Sequence, residues 1–229
     1  GGGRRGGGGG GAPPLPTDDW HLRAEFGTDL PVQVGGHITL EMPYRLRFST
    51  SFGYLPAGYV GLINAIAVAA GGYDQNTADL IDETLSSSFV WRAHFGWRPF
   101  RHYGFYFEAG YGLARLGGGA AAEEVIAAAA GTSRNRPKET GSYGIKTQIH
   151  MIDAEIGYEW ILWKHVTIRA AVGFAGTVGA ATSISPPSSS KFPKVAAEFA
   201  RDSEAYLDDV FTSYVFTPVV SVAAGWRFF

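Results

Sequence analysis

Residues 20–27 read Trp-His-Leu-Arg-Ala-Glu-Phe-Gly. Trp20, Leu22, Ala24 and Phe26 alternate with His21, Arg23, Glu25 and Gly27. Successive side chains of a strand point to opposite faces, so this spacing predicts a strand with one apolar row and one ionised row. Rows of this kind recur along the 229 residues, with strands expected at about 19–29, 32–42, 44–54, 89–98, 104–116, 143–160, 164–178 and 214–228. In strand three Tyr44, Leu46, Phe48, Phe52 and Tyr54 oppose Arg45, Arg47, Ser49 and Ser51, and in strand five Phe105, Phe107, Ala109, Tyr111 and Leu113 oppose Tyr106, Glu108, Gly110 and Gly112. Strand six changes phase between Met151 and Ile152, which predicts a bulge or a section standing clear of the rest.

The connections alternate between tight and long, apart from a short first one. Asp29-Leu30-Pro31, Pro43 and 99–103 mark short turns, whereas 55–88, 117–142 and 179–213 are inserts. The first insert predicts an apolar helix at about 59–70 and an acidic one at 76–85; the second an alanine-rich helix at 120–130; the third a helix at 194–211. Short turns at one end and long loops at the other are the asymmetry of small transmembrane barrels. The expected fold is therefore all-β: an eight-stranded antiparallel transmembrane β-barrel with helical extracellular loop inserts.

Composition sets the outer limits. With 45% apolar and 17% charged residues the chain is too hydrophobic for disorder, and a net charge of -2 provides no basic footprint for nucleic acid. The absence of cysteine excludes disulfides and thiolate chemistry. No apolar run reaches the ~18 residues of a spanning helix, so strands must do any spanning. Residues 1–18, Gly- and Pro-rich, read as a flexible linker ahead of a barrel domain at 19–229, and with no Met or export signal at its start the chain is expected to be either a processed mature form or a fragment. The glycines of that linker lack the Gly-Lys-Ser/Thr of a phosphate loop.

The topology sorts the aromatic residues. Trp20, Tyr44, Trp97, Trp160, Trp163, Trp226 and Phe228 fall at the short-turn end, joined by Tyr103 and Phe105, where amphipathic rings favour a membrane–water boundary. Across 19–229 the chain resembles the small eight-stranded bacterial outer-membrane barrels of the OmpA/OmpX-like sort. Such proteins commonly end on an aromatic with another two residues before it. Trp226 and Phe228 have that spacing, with an additional Phe229. The resemblance implies an integral place in the outer membrane of a Gram-negative cell, contact with outer-membrane lipid and lipopolysaccharide, and handling by the barrel-insertion machinery; it implies no activity.

With the apolar rows toward lipid, the lumen receives Arg23, Glu25, Arg47, Arg92, His94, Glu108, Asp153, Glu155 and Arg169, extended by Glu41, Arg45, Arg98, Glu159 and Arg227. An eight-stranded interior holds only side chains, so these groups are expected to pair into an ionic plug. Gly27, Ser49, Ser51, Gly53, Gly110, Gly112, Ala171, Gly173 and Ser221 lie higher in the same rows, leaving an outward cup or room for a loop. The apolar helix at 59–70 has three possible fates: a cap formed with the other loop helices, which is preferred, a berth on the outer leaflet, or the wall of an apolar ligand site. The acidic positions Asp74, Asp79, Asp82, Glu83, Glu198, Asp202, Glu204, Asp208 and Asp209 read as solvated faces.

No catalytic residue, metal or cofactor is assigned. Histidines 21, 37, 94, 102, 150 and 165 show no metal-ligand spacing, there is no Gly-x-Ser-x-Gly elbow, and Asp74-Gln75-Asn76 lacks the rest of a calcium loop. The expectation is a non-enzymatic membrane anchor or surface interaction protein whose surface or periplasmic partner is unknown. The alternatives are a soluble lipocalin-like carrier with the rows reversed, an outer-membrane lipid-modifying enzyme, and a narrow gated pore.

Overall fold

The computed structural model describes residues 19–69, 87–121, 142–186, 193–214 and 216–228. Eight strands form: β1 (His21–Leu30), β2 (Gln33–Met42), β3 (Leu46–Tyr54), β4 (Ser87–Trp97), β5 (Phe105–Ala121), β6 (Ser142–Leu162), β7 (Val166–Ser185) and β8 (Phe216–Arg227). Each pairs antiparallel with its sequence neighbours, and β8 returns to β1, so the sheet closes into a barrel. Closure leaves no unpaired edge at the level where all eight strands run side by side. Two helices are described, α1 (Ala57–Ala69) and α2 (Pro193–Tyr214). The linker at 1–18 and the expected acidic helix at 76–85 lie outside the described residues.

The hairpin ends follow local chemistry. Pro43 and Tyr44, the latter at φ 65, turn β2 into β3 through a short 3-10 segment, so β3 begins at Leu46 instead of 44. The third hairpin at this end uses Trp163 and Lys164, at φ 47 and 72, between β6 and β7.

Three strands outgrow the others: β5, β6 and β7 run for 17, 21 and 20 residues, while the rest have 9 to 12. At ~3.3 Å per residue the surplus raises a three-stranded wall roughly 20–30 Å along the strand direction at the long-loop end. Ala120 and Ala121, expected in a helix, instead pair with Tyr143 and Ser142 of β6. The extended partner strand supplies a ladder that overrides alanine's intrinsic helix propensity, and the rest of that expected helix lies outside the described residues.

The irregularity expected in β6 near Met151 is present as a register shift against β7 between His150 and Met151, but the facing of β6 itself does not change. Tyr143, Ile145, Thr147, Ile149, Asp153 and Glu155 are all buried on one continuous inward row. The polarity of that row changes, ionised below and apolar above. The register shift falls opposite His150 and Met151, which pair with Gly179 and Thr177, leaving Val178 as the extra residue on β7. Beyond it the buried parity of β7 moves to Ile184.

The apolar inner face of the wall is covered by α2. Phe199, Ala200, Leu207, Val210 and Phe211 pack with Tyr143, Ile145, Ile149 and Ile184, and this cluster reaches Val32, Val90 and Val219 across the barrel mouth. The Tyr143 and Phe199 rings meet edge to face at 6.1 Å. β8 pairs with β7 only as far as Gly176, so above it β7 has no strand on that side among the described residues. There α2 stands in: Glu204 accepts the Ile184 N–H and Asp208 the Thr182 N–H, each at 2.7 Å. These two carboxylates, one helical turn apart, are therefore not on a solvated face; they satisfy donors of a sheet edge. α1 is tied to the barrel by the Tyr59–Thr28 hydroxyl contact at 2.6 Å, and Val68 packs against the same core while Leu62 stays exposed. Of the three fates considered for the apolar helix, the contact of Val68 with the cluster formed by α2 and the wall fits the cap, to which α2 contributes most of the buried side chains.

Candidate functional site

The barrel orients its rows so that apolar side chains face out and ionised ones face the axis. Phe48, Phe95 and Ile168 are 42%, 56% and 38% exposed, whereas Arg92 and Glu155 retain 2% and 5%. All nine residues of the expected plug, Arg23, Glu25, Arg47, Arg92, His94, Glu108, Asp153, Glu155 and Arg169, are buried together in the lumen.

They stack in two tiers. In the lower one Glu159 receives Arg23, and also Arg47 and Arg98 at 2.8 Å each. Glu41 receives Arg98, Arg23 at 2.8 Å and Arg47 at 3.8 Å, while Glu108 pairs with Arg47 and accepts Ser49 at 2.9 Å. Three guanidiniums therefore meet three carboxylates, and the tier is neutral as built. The planar fork of arginine suits such sharing, because it donates in several directions at once.

In the upper tier Arg92 bridges Asp29, at 2.9 Å, and Asp153, whose other oxygen lies 2.7 Å from His94. Arg169 reaches Glu155 at 3.1 Å, Glu25 at 3.5 Å and His37 at 2.9 Å, and His37 in turn lies 3.7 Å from Asp29. Here two guanidiniums, Arg92 and Arg169, face four carboxylates, with two imidazoles among them. Neutral donors supply further contacts: Thr167 to Glu25 at 3.0 Å, Gln33 to Asp29 at 2.7 Å and to Ser51 at 2.6 Å, and Tyr106 to Glu155 at 3.2 Å.

Tyr106 joins the tiers. Its ring lies under the Arg47 guanidinium, 4.1 Å from ring centre, and across Gly157, its cross-strand partner. The small residues expected to open a cup are instead overlain by their neighbours: a Cβ on Gly110 would sit 2.5 Å from the His94 ring, and one on Gly112 2.6 Å from the Met151 side chain. Arg45, expected in the lumen, points elsewhere. The left-handed turn at φ 66 directs it to the Pro99 carbonyl, at 2.6 Å, and over the Trp97 ring at 5.4 Å.

Sequence reading misses Asp29, Gln33 and His37 as lumen groups, and it places Tyr106 in the row of Glu108 without counting it among them. Pro31 draws Asp29 into a turn, yet Asp29 shares the parity of Arg23 and Glu25; Gln33 and His37 share that of Glu41. Parity is the available signal, hidden in β2 by its glycines and in β5 by the aromatic character of Tyr106.

Outside, Trp20, Tyr44, Trp97, Trp160, Trp163, Trp226 and Phe228 are all exposed. The topology puts each at or beside the short-turn end, with Trp226 stacked on His165 at 5.3 Å and Trp160 close to the β6–β7 turn. Between that rim and Phe89, Leu113, Ile152 and Val178 the outer rows of β4–β7 are apolar or aromatic throughout. Eight residues of β5 separate Phe105 from Leu113, which at ~3.3 Å rise and a ~40° tilt gives a belt of about 20 Å on this side. A groove of about 640 Å³ runs across it between Phe95, Phe107, Ile156 and Phe174.

The sequence matches no protein-family model and no curated protein. Among solved structures the fold is similar to CarO2 of Acinetobacter baumannii, at TM-score 0.41 and 12% identity over 93% of this chain and 100% of that one. It is also similar to a major outer membrane protein of Thermus thermophilus, at TM-score 0.43 and 11% identity over 91% and 98% of the two chains. A. baumannii CarO gives 0.38 and 14% over 93% and 98%. Scores and identities this low describe resemblance only; the closed barrel is read from the strand pairing itself.

Proposed function

We propose that this chain is an integral outer-membrane β-barrel with a charge-plugged lumen and a helical extracellular cap, serving without catalysis as a membrane anchor or surface interaction protein. The observation that carries this reading is the inverted polarity: a continuous exposed apolar belt outside and five buried arginines inside. Exposed apolar area of this extent has no stable place in water, while hydrocarbon accepts it without cost. Every strand of the belt is hydrogen-bonded on both sides, which a bilayer demands of any spanning element. The reversed arrangement of a soluble carrier would put Phe48, Phe95 and Ile168 around a central ligand; they face outward.

The plug separates an anchor from a pore. Both tiers cross the lumen, and opening a path would leave buried charges unpaired at several kcal/mol each. In planar bilayers the purified protein is expected to conduct no steady current, and Arg47→Ala or Glu108→Ala to raise conductance or noise. Steady ion flow through the unmutated protein would overturn the plugged-anchor reading.

A further inference from the structure

The outer surface changes character abruptly just above the belt, on the wall formed by β5, β6 and β7. The outward row of β5 passes from Tyr111 and Leu113 to Arg115; that of β6 passes from Ile152 through His150 and Gln148 to Lys146; that of β7 passes from Val178 to Ala181 and Ser183. The inner face of the same wall is apolar and covered by α2, so its outer face looks sideways over the bilayer instead of upward into solvent.

Arg115 pairs with Gln148 and Lys146 lies two residues further along β6, which makes the two cations diagonal neighbours, about 7–8 Å apart at the backbone. Both are exposed, and neither has a carboxylate partner among the described residues. His150 just below them is already engaged, by Tyr111 and by Gln148 at 3.0 Å. A groove of about 560 Å³ joins these groups, lined by Arg115, Lys146, Gln148, Ser183, Ser88 and, at its lower edge, Phe89. Two unpaired cations and neutral donors above, an aromatic edge and apolar belt below: the groove matches a molecule that is anionic at one end and hydrocarbon at the other.

Resting on the membrane orientation proposed above, we infer that this groove holds the phosphorylated headgroup of an outer-leaflet glycolipid. Arg115 and Lys146 converge on one phosphate, and the acyl chains descend over Phe89 and Leu113. Arginine and lysine give a phosphate charge-assisted bonds from two directions, and each bond is stronger at a membrane surface than in bulk water.

The test uses the purified full chain in detergent, with bis-phosphorylated lipid A as the probe and the bound fraction read by native mass spectrometry. Arg115→Ala/Lys146→Ala is compared with Arg101→Ala/Lys164→Ala, which removes the same charge at the opposite rim. The first variant is expected to bind about tenfold less than the unmutated protein and the second to match it. Dephosphorylated lipid A should not distinguish the three proteins. Equal binding by all three, equal loss in both variants, no binding by the folded unmutated protein, or displacement of the lipid by equimolar inorganic phosphate each overturns the inference. Failure of the protein to insert into liposomes would instead remove the membrane reading beneath it; insertion with no discrimination leaves that reading standing and removes only the headgroup site.

Discussion

Tyr106 lies flat on Gly157, its partner across the β5–β6 ladder, so closely that a Cβ at 157 would overlap the ring's Cζ. The ring is fully buried, with Arg47 on it and Glu155 at its hydroxyl, so it has nowhere to retreat. A glycine here is the space in which an aromatic side chain lies along the barrel wall. Gly157→Val is therefore expected to destabilise the folded barrel by about 1–3 kcal/mol. Adding Tyr106→Ala should recover part of that loss, measured as a coupling energy in a urea-unfolding double-mutant cycle. Strict additivity would show that the two residues do not compete for this volume.

Glu159 carries the greatest share of the lower tier, since Arg23, Arg47 and Arg98 all lie within hydrogen-bond distance of it, whereas Glu41 meets Arg47 only at 3.8 Å. Glu159→Gln keeps the shape and removes the charge. It is expected to cost about 3–5 kcal/mol, because it strands buried cations. Replacing Thr39, equally buried but outside the ion pairs, with Val should cost far less. Comparable losses would mean that packing, and not charge balance, governs the lumen.

The upper tier carries four carboxylates against two guanidiniums, with His37 and His94 in contact with its members. Replacing an acid there should accordingly be milder than in the lower tier. Asp153→Asn still leaves Arg92 paired with Asp29, so its expected cost is about 1–3 kcal/mol, below that of Glu159→Gln in the same unfolding assay. The reverse order would contradict the charge count.

The helix tether gives a local readout. Glu204→Ala/Asp208→Ala should speed hydrogen exchange at the amides of Thr182 and Ile184, which lose their acceptors, while amides in the eight-stranded lower barrel stay protected. Unchanged exchange at 182 and 184 would show that the edge is satisfied by other means.

Five of the six tryptophans stand at one rim, and Trp91 lies on the other half of β4, beside Tyr111 at 6.5 Å. In vesicles with bromines placed at different acyl depths, quenching of the unmutated protein should show two populations. Trp91→Phe should remove one of them and leave the interfacial one. A single broad depth before and after would contradict the one-rim girdle.

The barrel is legible because its alternation is strong: the rows of β1, β3, β4 and β8 predict both strand and facing. Legibility fails where polarity and facing part company. On β6, Ile145 and Ile149 are apolar yet inward, since the wall above the belt has α2 on one side and no lipid on the other; a rule equating apolar with outward reads that as a change of phase. Glu204 and Asp208 look like a solvated helical face because nothing local to α2 reveals a bare sheet edge 20 and 26 residues earlier. Asp29 is hidden by the Pro31 that follows it closely. Contacts between Arg23 and Glu159, 136 residues apart, can be expected as a class, but the choice of partners requires the shear of the closed sheet.

If the barrel sits in a bilayer as proposed, it is confined to two dimensions and meets its own copies constantly and in a fixed orientation. The upper part of β7 would offer each passing copy a ready template for strand addition, side by side, at the same height. With Glu204 and Asp208 clasping those amides, that template is already taken, and crowded molecules can slide past one another without zipping into sheets.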